Sequence, residues 1–482
     1  MLEDPDRVYF EAVVQSQSGA SIFTGSAALE HEELAQYRPS RGRVAQTAAE
    51  LQRLGFTVRH LGTFSVSGDV AQQTWEETFG TRVERRSQPV SADRPGAGEL
   101  AFLSHVADVP FTIPPTLQGL VERAYPQLPP TFFASPLPPR VGYHHLRVPA
   151  DVAMILRATP VHQAGVTGDG VLVAMTDTGF YRHPFYDWHG YRYQATLAPD
   201  AVHVELDENG HGTAEAANIF AVAPDIDFIG VKMGGNATLA FKTASDLHPA
   251  VLTNSWGYHL PGETELPNHL KPLEAAVAEA VGERGIAVCF SAGNGHVAFP
   301  GMMPDVISVG GVHARDTLSG DDFDLEAADY ASSFDSLIYP GRHVPDVCGL
   351  VGMQPAGIYI LLPVQPGCEI DVGLAGGTFP DADETADDDG WAVISGTSAS
   401  SPQIAGLCAL LRQAQPGLPP SLIKALLRAS ARDVTTGQSA MAEPAGPGHD
   451  GATGAGLVDA HRAYLLARCT TPRPTAVVPA PC

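Results

Sequence analysis

Two different patterns of apolar and polar positions divide this chain. Between residues 8 and 86 the spacing changes every ten residues or so. VYFEAVVQ (8–15) alternates as a strand does, and RVAQTAAELQRLGF (43–56) puts Leu51 and Leu54 on one helical face. TVRHL and FSVSG are predicted as short strands around a turn at Gly62-Thr63. DVAQQTWEETFG (69–80) is predicted as a helix, with Asp69 as its N-cap and Gly80 just past its end, and TRVERR closes the set as a strand. The order is β-α-β-β-α-β. Residues 113–145 then carry so many prolines that an extended, protease-accessible linker is expected.

From about Val148 the pattern changes to near-continuous apolar runs separated by helix-spaced stretches. GVLVAMTD (170–177), DIDFIGVKM (225–233), AVLTNSWG (250–257), GIAVCFSAG (285–293) and VISVGGV (306–312) are predicted as buried strands, with a helix over 270–285 between two of them. Apolar strands alternating with helices imply an α/β domain whose mostly parallel sheet carries helices on both faces. The expected organisation is a small α+β, ferredoxin-like domain over 1–112, a linker over 113–147, an α/β domain over 148–465 and a tail over 466–482.

Composition narrows the function classes. The formal charge is −25, of which residues 1–146, with 12 Arg, no Lys and 16 Asp plus Glu, carry only −4. Such acidity argues against nucleic acid or an anionic membrane as partner. No apolar run approaches the ~18 residues of a membrane-spanning helix. The six cysteines lack metal-ligand spacing. Cys289 and Cys408 read as small buried hydrophobes, while Cys348 with Cys368, or Cys469 with Cys482, could pair in an oxidising compartment.

Four positions carry candidate chemistry. Asp177 ends the strand 170–177, where open α/β sheets gather their sites, although an Asp-Thr-Gly also simply caps turns. His211 lies between two glycines at a helix start, which leaves its imidazole unobstructed. Asn294, in SAGNGH directly after a buried strand, is either a turn residue or an amide donor to an oxyanion. The stretch ISGTSASSPQIAG (394–406) holds four serines before an apolar helix. Ser398 falls at the amino end of that helix, where the dipole and backbone N–H groups favour developing negative charge. Ser395 reads as the end of a strand, and Ser400 and Ser401 as first-turn residues beside Pro402.

Asp, His and Ser in that chain order follow the order of subtilisin. DTG (177–179), HGT (211–213), NSWG (254–257), SAGN (291–294), GTSASSPQIAG (396–406) and GAGLVDAHRA (454–463) resemble the subtilisin-like serine proteases, over roughly residues 148–465. That resemblance implies a serine endopeptidase with Asp177 as orienting carboxylate, His211 as general base, Ser398 as nucleophile and Asn294 as oxyanion donor, acting through an acyl-enzyme. It also makes Ser255, Trp256 and Gly257 candidate contacts to the peptide backbone. Polypeptide substrates are the implied partners.

Two positions depart from the family. Ala399 and Gln403 stand where subtilases commonly have Met and His, and SGTSAS before a proline is similar to the acid-acting sedolisins. His211 and Asn294 nevertheless imply activity at neutral to mildly alkaline pH. The N-terminal domain resembles the propeptides of both families, the sedolisin kind especially, which implies a zymogen whose propeptide inhibits its own catalytic domain, with the processing site in the Pro-rich stretch. Read literally, Met-Leu-Glu-Asp-Pro-Asp-Arg is no secretion signal and points to the cytoplasm; a zymogen points to export, with its leader absent from this sequence. No cofactor is required for such chemistry. Asp371, Asp381, Asp383, Glu384 and Asp387 to Asp389 could hold a structural calcium ion or form a solvated acidic loop. The competing expectations are a sedolisin-like acid peptidase, a non-catalytic binding protein on the same fold, and a metal-dependent hydrolase, against which the lack of clustered histidines counts.

Overall fold

The computed structural model describes residues 6–24, 29, 34–89, 99–106, 111–132, 145–315, 324–354, 357, 359–376 and 383–470. In the N-terminal part, β1 (Arg7–Val14) is followed by α1 (Arg41–Arg53), β2 (Thr57–Leu61), β3 (Ser65–Ala71) and α2 (Gln72–Phe79). β4 (Val83–Pro89) and β5 (Glu99–His105) then form a separate hairpin, and β6 (Val121–Pro126) returns to the sheet. The sheet order is β2-β3-β1-β6, antiparallel throughout. Phe10, Leu51, Phe56, Trp75 and Phe79 fill its core.

Two expectations are corrected here. TRVERR does not join this sheet; the fourth strand is VERAYP, from within the stretch expected to be an extended linker. Its one proline, Pro126, is the last residue of an edge strand, so it ends the strand without breaking it. Asp69 is not a helix cap: it belongs to β3 and its buried carboxylate pairs with Arg7 and Arg59, while Ala71 precedes the helix.

The larger body is built on an eight-stranded sheet. After β7 (Thr131–Phe132), its elements are β8 (Leu172–Asp177), β9 (Arg192–Leu197), α3 (His211–Val222), β10 (Asp227–Lys232), α4 (Ala237–Asp246), β11 (Val251–Asn254), β12 (Trp256–His259), α5 (Lys271–Gly282), β13 (Ala287–Ser291), β14 (Ile307–Arg315), β15 (Asp324–Ala327), β16 (Val347–Val351), β17 (Ile360–Pro363), β18 (Trp391–Ile394), α6 (Thr397–Ala414), α7 (Pro420–Ser430) and α8 (Ala460–Cys469). The sheet runs β9-β10-β8-β11-β13-β14-β15, with β16 also on β14. All its pairs are parallel except β14 with β15. Helices α3, α6, α7 and α8 contribute to the core on one face, and α4 and α5 to that on the other. The predicted strand 250–257 divides at Ser255: β11 stays in the main sheet, and β12 leaves it to pair with β7.

The N-terminal sheet sits on α4 and α5. Glu11 of β1 is fully buried there, and Lys242 of α4 nearly so. The Glu11 carboxylate accepts from Lys242 Nζ at 2.9 Å, Ser65 Oγ at 2.7 Å and Asn236 Nδ2 at 3.3 Å. Thr63 Oγ1 donates to Glu279 Oε1 at 2.6 Å, and Thr238 Oγ1 to Gln127 Oε1 at 3.1 Å. Taking one partner from a buried ion pair leaves an uncompensated charge, at a cost of about 3–5 kcal/mol. Glu11→Gln is therefore expected to weaken the seating of the N-terminal sheet by that amount, read as a lower urea midpoint for its unfolding; an unchanged midpoint would show that the pair contributes nothing.

Candidate active site

Each candidate side chain lies near the carboxyl edge of the main sheet. β8 ends at Asp177, wholly buried, whose Oδ1 accepts the Thr178 N–H at 2.8 Å and lies 2.7 Å from His211 Nδ1. His211 is the first residue of α3. A Cβ on the next residue, Gly212, would overlap the Gly179 carbonyl oxygen and sit 2.9 Å from Asp177 Cβ. Only glycine lets the helix start close enough to the strand for imidazole and carboxylate to meet.

Asp207 fixes the turn before the helix, and sequence reasoning missed it. Its Oδ1 accepts from Gly210 N at 3.0 Å and Thr178 Oγ1 at 2.8 Å; its Oδ2 accepts from Thr213 N at 2.8 Å and Thr213 Oγ1 at 2.6 Å. One carboxylate so ties the strand end of Asp177 to the helix start of His211. The available signal was an Asp shortly before a Gly-His-Gly-Thr helix start, an arrangement suited to capping.

The imidazole of His211 is almost wholly buried. Burial alone would depress its pKa, but the charge and hydrogen bond of Asp177, then the charges of Glu215 and Asp207, outweigh burial and raise it to about 9. Glu215, one turn along α3, is also fully buried and has Oε1 4.0 Å from His211 Nε2. It too was missed; the i,i+4 spacing from His211 was its only mark.

At the other side of the site, Gly396 precedes α6 with φ 137° and ψ 162°, a conformation essentially confined to glycine. Ser398 follows at the helix start and is 2% exposed. Pro402, four residues on, has no N–H to give the Ser398 carbonyl, and Ser255 Oγ donates to that carbonyl instead at 3.0 Å. Ser398 Oγ lies 3.5 Å from the Ser255 carbonyl oxygen.

The neighbouring serines serve the framework. Ser395 Oγ accepts from Gly352 N at 2.7 Å, Ser400 Oγ donates to Gly310 O at 2.8 Å, and Ser401 Oγ meets Thr253 Oγ1 at 3.2 Å. Asn294, in the loop after β13, accepts the Thr397 N–H and hydroxyl on Oδ1, both at 3.0 Å. Those two bonds hold the carbonyl end of the amide against α6 and make its nitrogen the donor end.

Of the expected peptide contacts, Trp256 offers only its backbone. Its indole is buried, donating from Nε1 to Thr176 Oγ1 at 2.8 Å. The backbone edge of β12 is paired antiparallel with β7, Trp256 opposite Phe132 and Gly257 opposite Thr131.

Three of the seven carboxylates of the acidic stretch accept from nearby backbone. Asp383 accepts from Thr385 N and Val393 N, both at 3.0 Å; Asp371 from Gly367 N at 2.8 Å; and Asp389 from Trp391 N at 2.9 Å. Among the described residues no three His, Cys, Asp or Glu gather as metal ligands. Asp381 lies outside the described residues. Cys289, Cys348, Cys368 and Cys408 are free, buried thiols, so the Cys348–Cys368 pairing is not formed; Cys482 lies outside the described residues.

A parallel α/β sheet with an Asp–His pair and a helix-start serine at one edge defines a subtilisin-like protein. The subtilase family model matches residues 168–456, more than half of the chain, and the chain belongs to that family. It is 30% identical over 295 residues to the serine protease AprX of Bacillus subtilis, covering 55% of this chain and 61% of AprX. It is 27% identical over 274 residues to subtilisin Savinase of Lederbergia lenta, covering 54% of this chain and 83% of that protein. The crystal structure of fervidolysin from Fervidobacterium pennivorans, described as a keratinolytic enzyme related to subtilisin, shares the fold with a TM-score of 0.56 at 17% identity. That likeness covers 97% of this chain and 62% of fervidolysin, so the chain spans less than two thirds of both AprX and fervidolysin.

Because the His211 pKa is held above the ordinary imidazole value of 6.5, the pairing stabilises the fold in full below about 6.5, and that stabilisation is lost as pH rises through about 9. NMR titration of the imidazole is expected to give a midpoint near 9; a midpoint at or below 6.5 would mean that the carboxylates do not outweigh burial.

Proposed function

We propose that this chain is a serine endopeptidase made as a zymogen. The observation that carries the reading is the buried 2.7 Å contact between Asp177 and His211, at the same sheet edge as a serine that begins a helix. Family membership supports it. Ser398 Oγ attacks the peptide carbonyl carbon and its proton passes to His211 Nε2. The carbonyl oxygen gains negative charge and takes hydrogen bonds from the Asn294 amide nitrogen and the Ser398 N–H. His211 then protonates the departing amine, leaving an acyl ester on Ser398 that water, deprotonated by His211, hydrolyses. Asp177 holds Nδ1–H throughout, fixing the tautomer and stabilising the imidazolium. Every group these steps need is a side chain or backbone amide of this chain.

The pairing of β7 with β12 supports the N-terminal part as an intramolecular inhibitor. An extended segment added to a strand edge is how a peptide substrate would lie there, read through its backbone. The processed bond then follows Phe132, within 133–147; residues 133–144 lie outside the described residues. The substrates are polypeptides, accepted with broad specificity.

Incubation of the full chain at pH 8–9 should give a new N-terminus within 133–147 and cleavage of a denatured protein. Ser398→Ala should abolish both, by a factor of roughly 10⁴–10⁶; a variant that processes and cleaves like the parent would refute the assignment. Asn294→Ala should lower kcat by about 10²–10³-fold with KM little changed. Because the base must be neutral, kcat/KM should rise with pH to a plateau above the His211 midpoint. Greatest activity below pH 4 would favour the sedolisin-like alternative.

A further inference from the structure

The imidazole of His211 lies between two carboxylates, and the proposed reaction uses only one. Asp177 meets Nδ1; Glu215 stands at the Nε2 side, the side from which the serine proton must arrive. At 4.0 Å, Glu215 Oε1 is too far to take the Nε2 proton as a hydrogen bond, yet close enough to act on its charge. Oε1 has no hydrogen-bond donor among the described residues, while Oε2 accepts from Asn218 Nδ2 at 2.9 Å.

That anchor is itself held from the serine helix. Gln403 Nε2 donates to Asn218 Oδ1 at 3.2 Å and to Leu350 O at 3.1 Å, and Gln403 Oε1 accepts from Leu350 N at 2.7 Å. The run Glu215–Asn218–Gln403 to the backbone of β16 is buried along its whole length. Gln403 is one of the two positions where the nucleophile stretch departs from the common subtilase spelling, so the departure and the extra carboxylate belong to one network. A buried carboxylate with one unbonded oxygen is costly unless an opposite charge lies near, and a protonated His211 ring at 4.0 Å is such a charge.

We propose that Glu215 is a positioning residue for peptide hydrolysis, a second carboxylate that stabilises the His211 imidazolium from its Nε2 side as the Ser398 proton arrives. The inference rests on the serine peptidase reading. In the resting alkaline form Glu215 is ionised beside a neutral ring, and it gains a positive neighbour only when the proton moves, so its attraction is realised in the transition state. Its own carboxyl is pushed by burial, and further by Asp177, up to about 7, against the opposing pull of His211 and the Asn218 bond. The other titratable groups around the pair are Asp177 at the end of β8, Asp207 in the turn before α3, Tyr186 and Tyr193 under α3, and Cys368 beside Gly210. Burial lifts both phenols well above their usual value, so they stay neutral through the working range. Gln403, the residue of α6 that joins the network, does not titrate.

Glu215→Gln keeps the shape and the Asn218 bond and removes the charge. The acid limb of kcat/KM against pH should move down by about one pH unit, and plateau kcat should fall by about tenfold with KM unchanged. Glu215→Asp should keep the limb near that of the parent. A limb and kcat that both stay in place in Glu215→Gln would overturn the proposal. A second measurement needs no change at Glu215. In the Ser398→Ala chain, the ¹³C carboxyl signal of Glu215 should titrate near 7, and the His211 imidazole should report that same inflection besides its own near 9. An imidazole with a single inflection would also overturn it. Loss of all activity in Ser398→Ala with these titrations intact supports both readings. Full activity in Ser398→Ala would instead remove the peptidase assignment itself, so the two failures are told apart.

Discussion

The burial of one imidazole against one carboxylate is the constraint on which the rest of this structure turns. A histidine and an aspartate taken out of water cost several kcal/mol unless their geometry is held closely. The chain meets that demand with backbone. Gly212 removes the Cβ that would hold the helix off, Asp207 ties four donors from the strand end and the helix start into one turn, and the parallel sheet sets where both must begin. The apolar strands and the Ala-rich face of α3 are the platform for this meeting.

The serine side follows the same logic with different means. Gly396 supplies a backbone conformation closed to other residues, and Asn294 is gripped by Thr397 before any substrate is present. Groups aimed in advance need no reorganisation when charge develops, which is the main source of electrostatic catalysis. The four serines of residues 394–406 differ only in what surrounds them. Three have their hydroxyls tied to neighbouring strands and loops; Ser398 has its Oγ beside Ser255, at the helix mouth.

The five central strands of the larger body's sheet were legible in the sequence because a strand buried on both faces leaves an unbroken apolar run, whereas the outer strands Arg192–Leu197, Asp324–Ala327 and Val347–Val351 were not. What escaped was set by contacts distant in the chain. VERAYP reads as linker because of the prolines around it, yet β1 offers it an edge to pair with. Asp69 has the look of a helix cap, but two arginines claim it. Trp256 could be named as a site neighbour, while only the fold reveals that its ring faces inward to Thr176. Glu215 was invisible for a plainer reason: a glutamate in a helix is ordinary until the fold buries it beside a histidine.

The missing N–H of Pro402 carries a consequence of its own. It frees the Ser398 carbonyl to be held by Ser255, the residue that joins the main sheet to β12. The start of α6 and the backbone edge of β12 are thereby fastened to one residue. Under the peptidase reading proposed above, a chain laid along β12 would meet Ser398 at a place counted in backbone steps from Ser255, with side chains deciding only whether they fit.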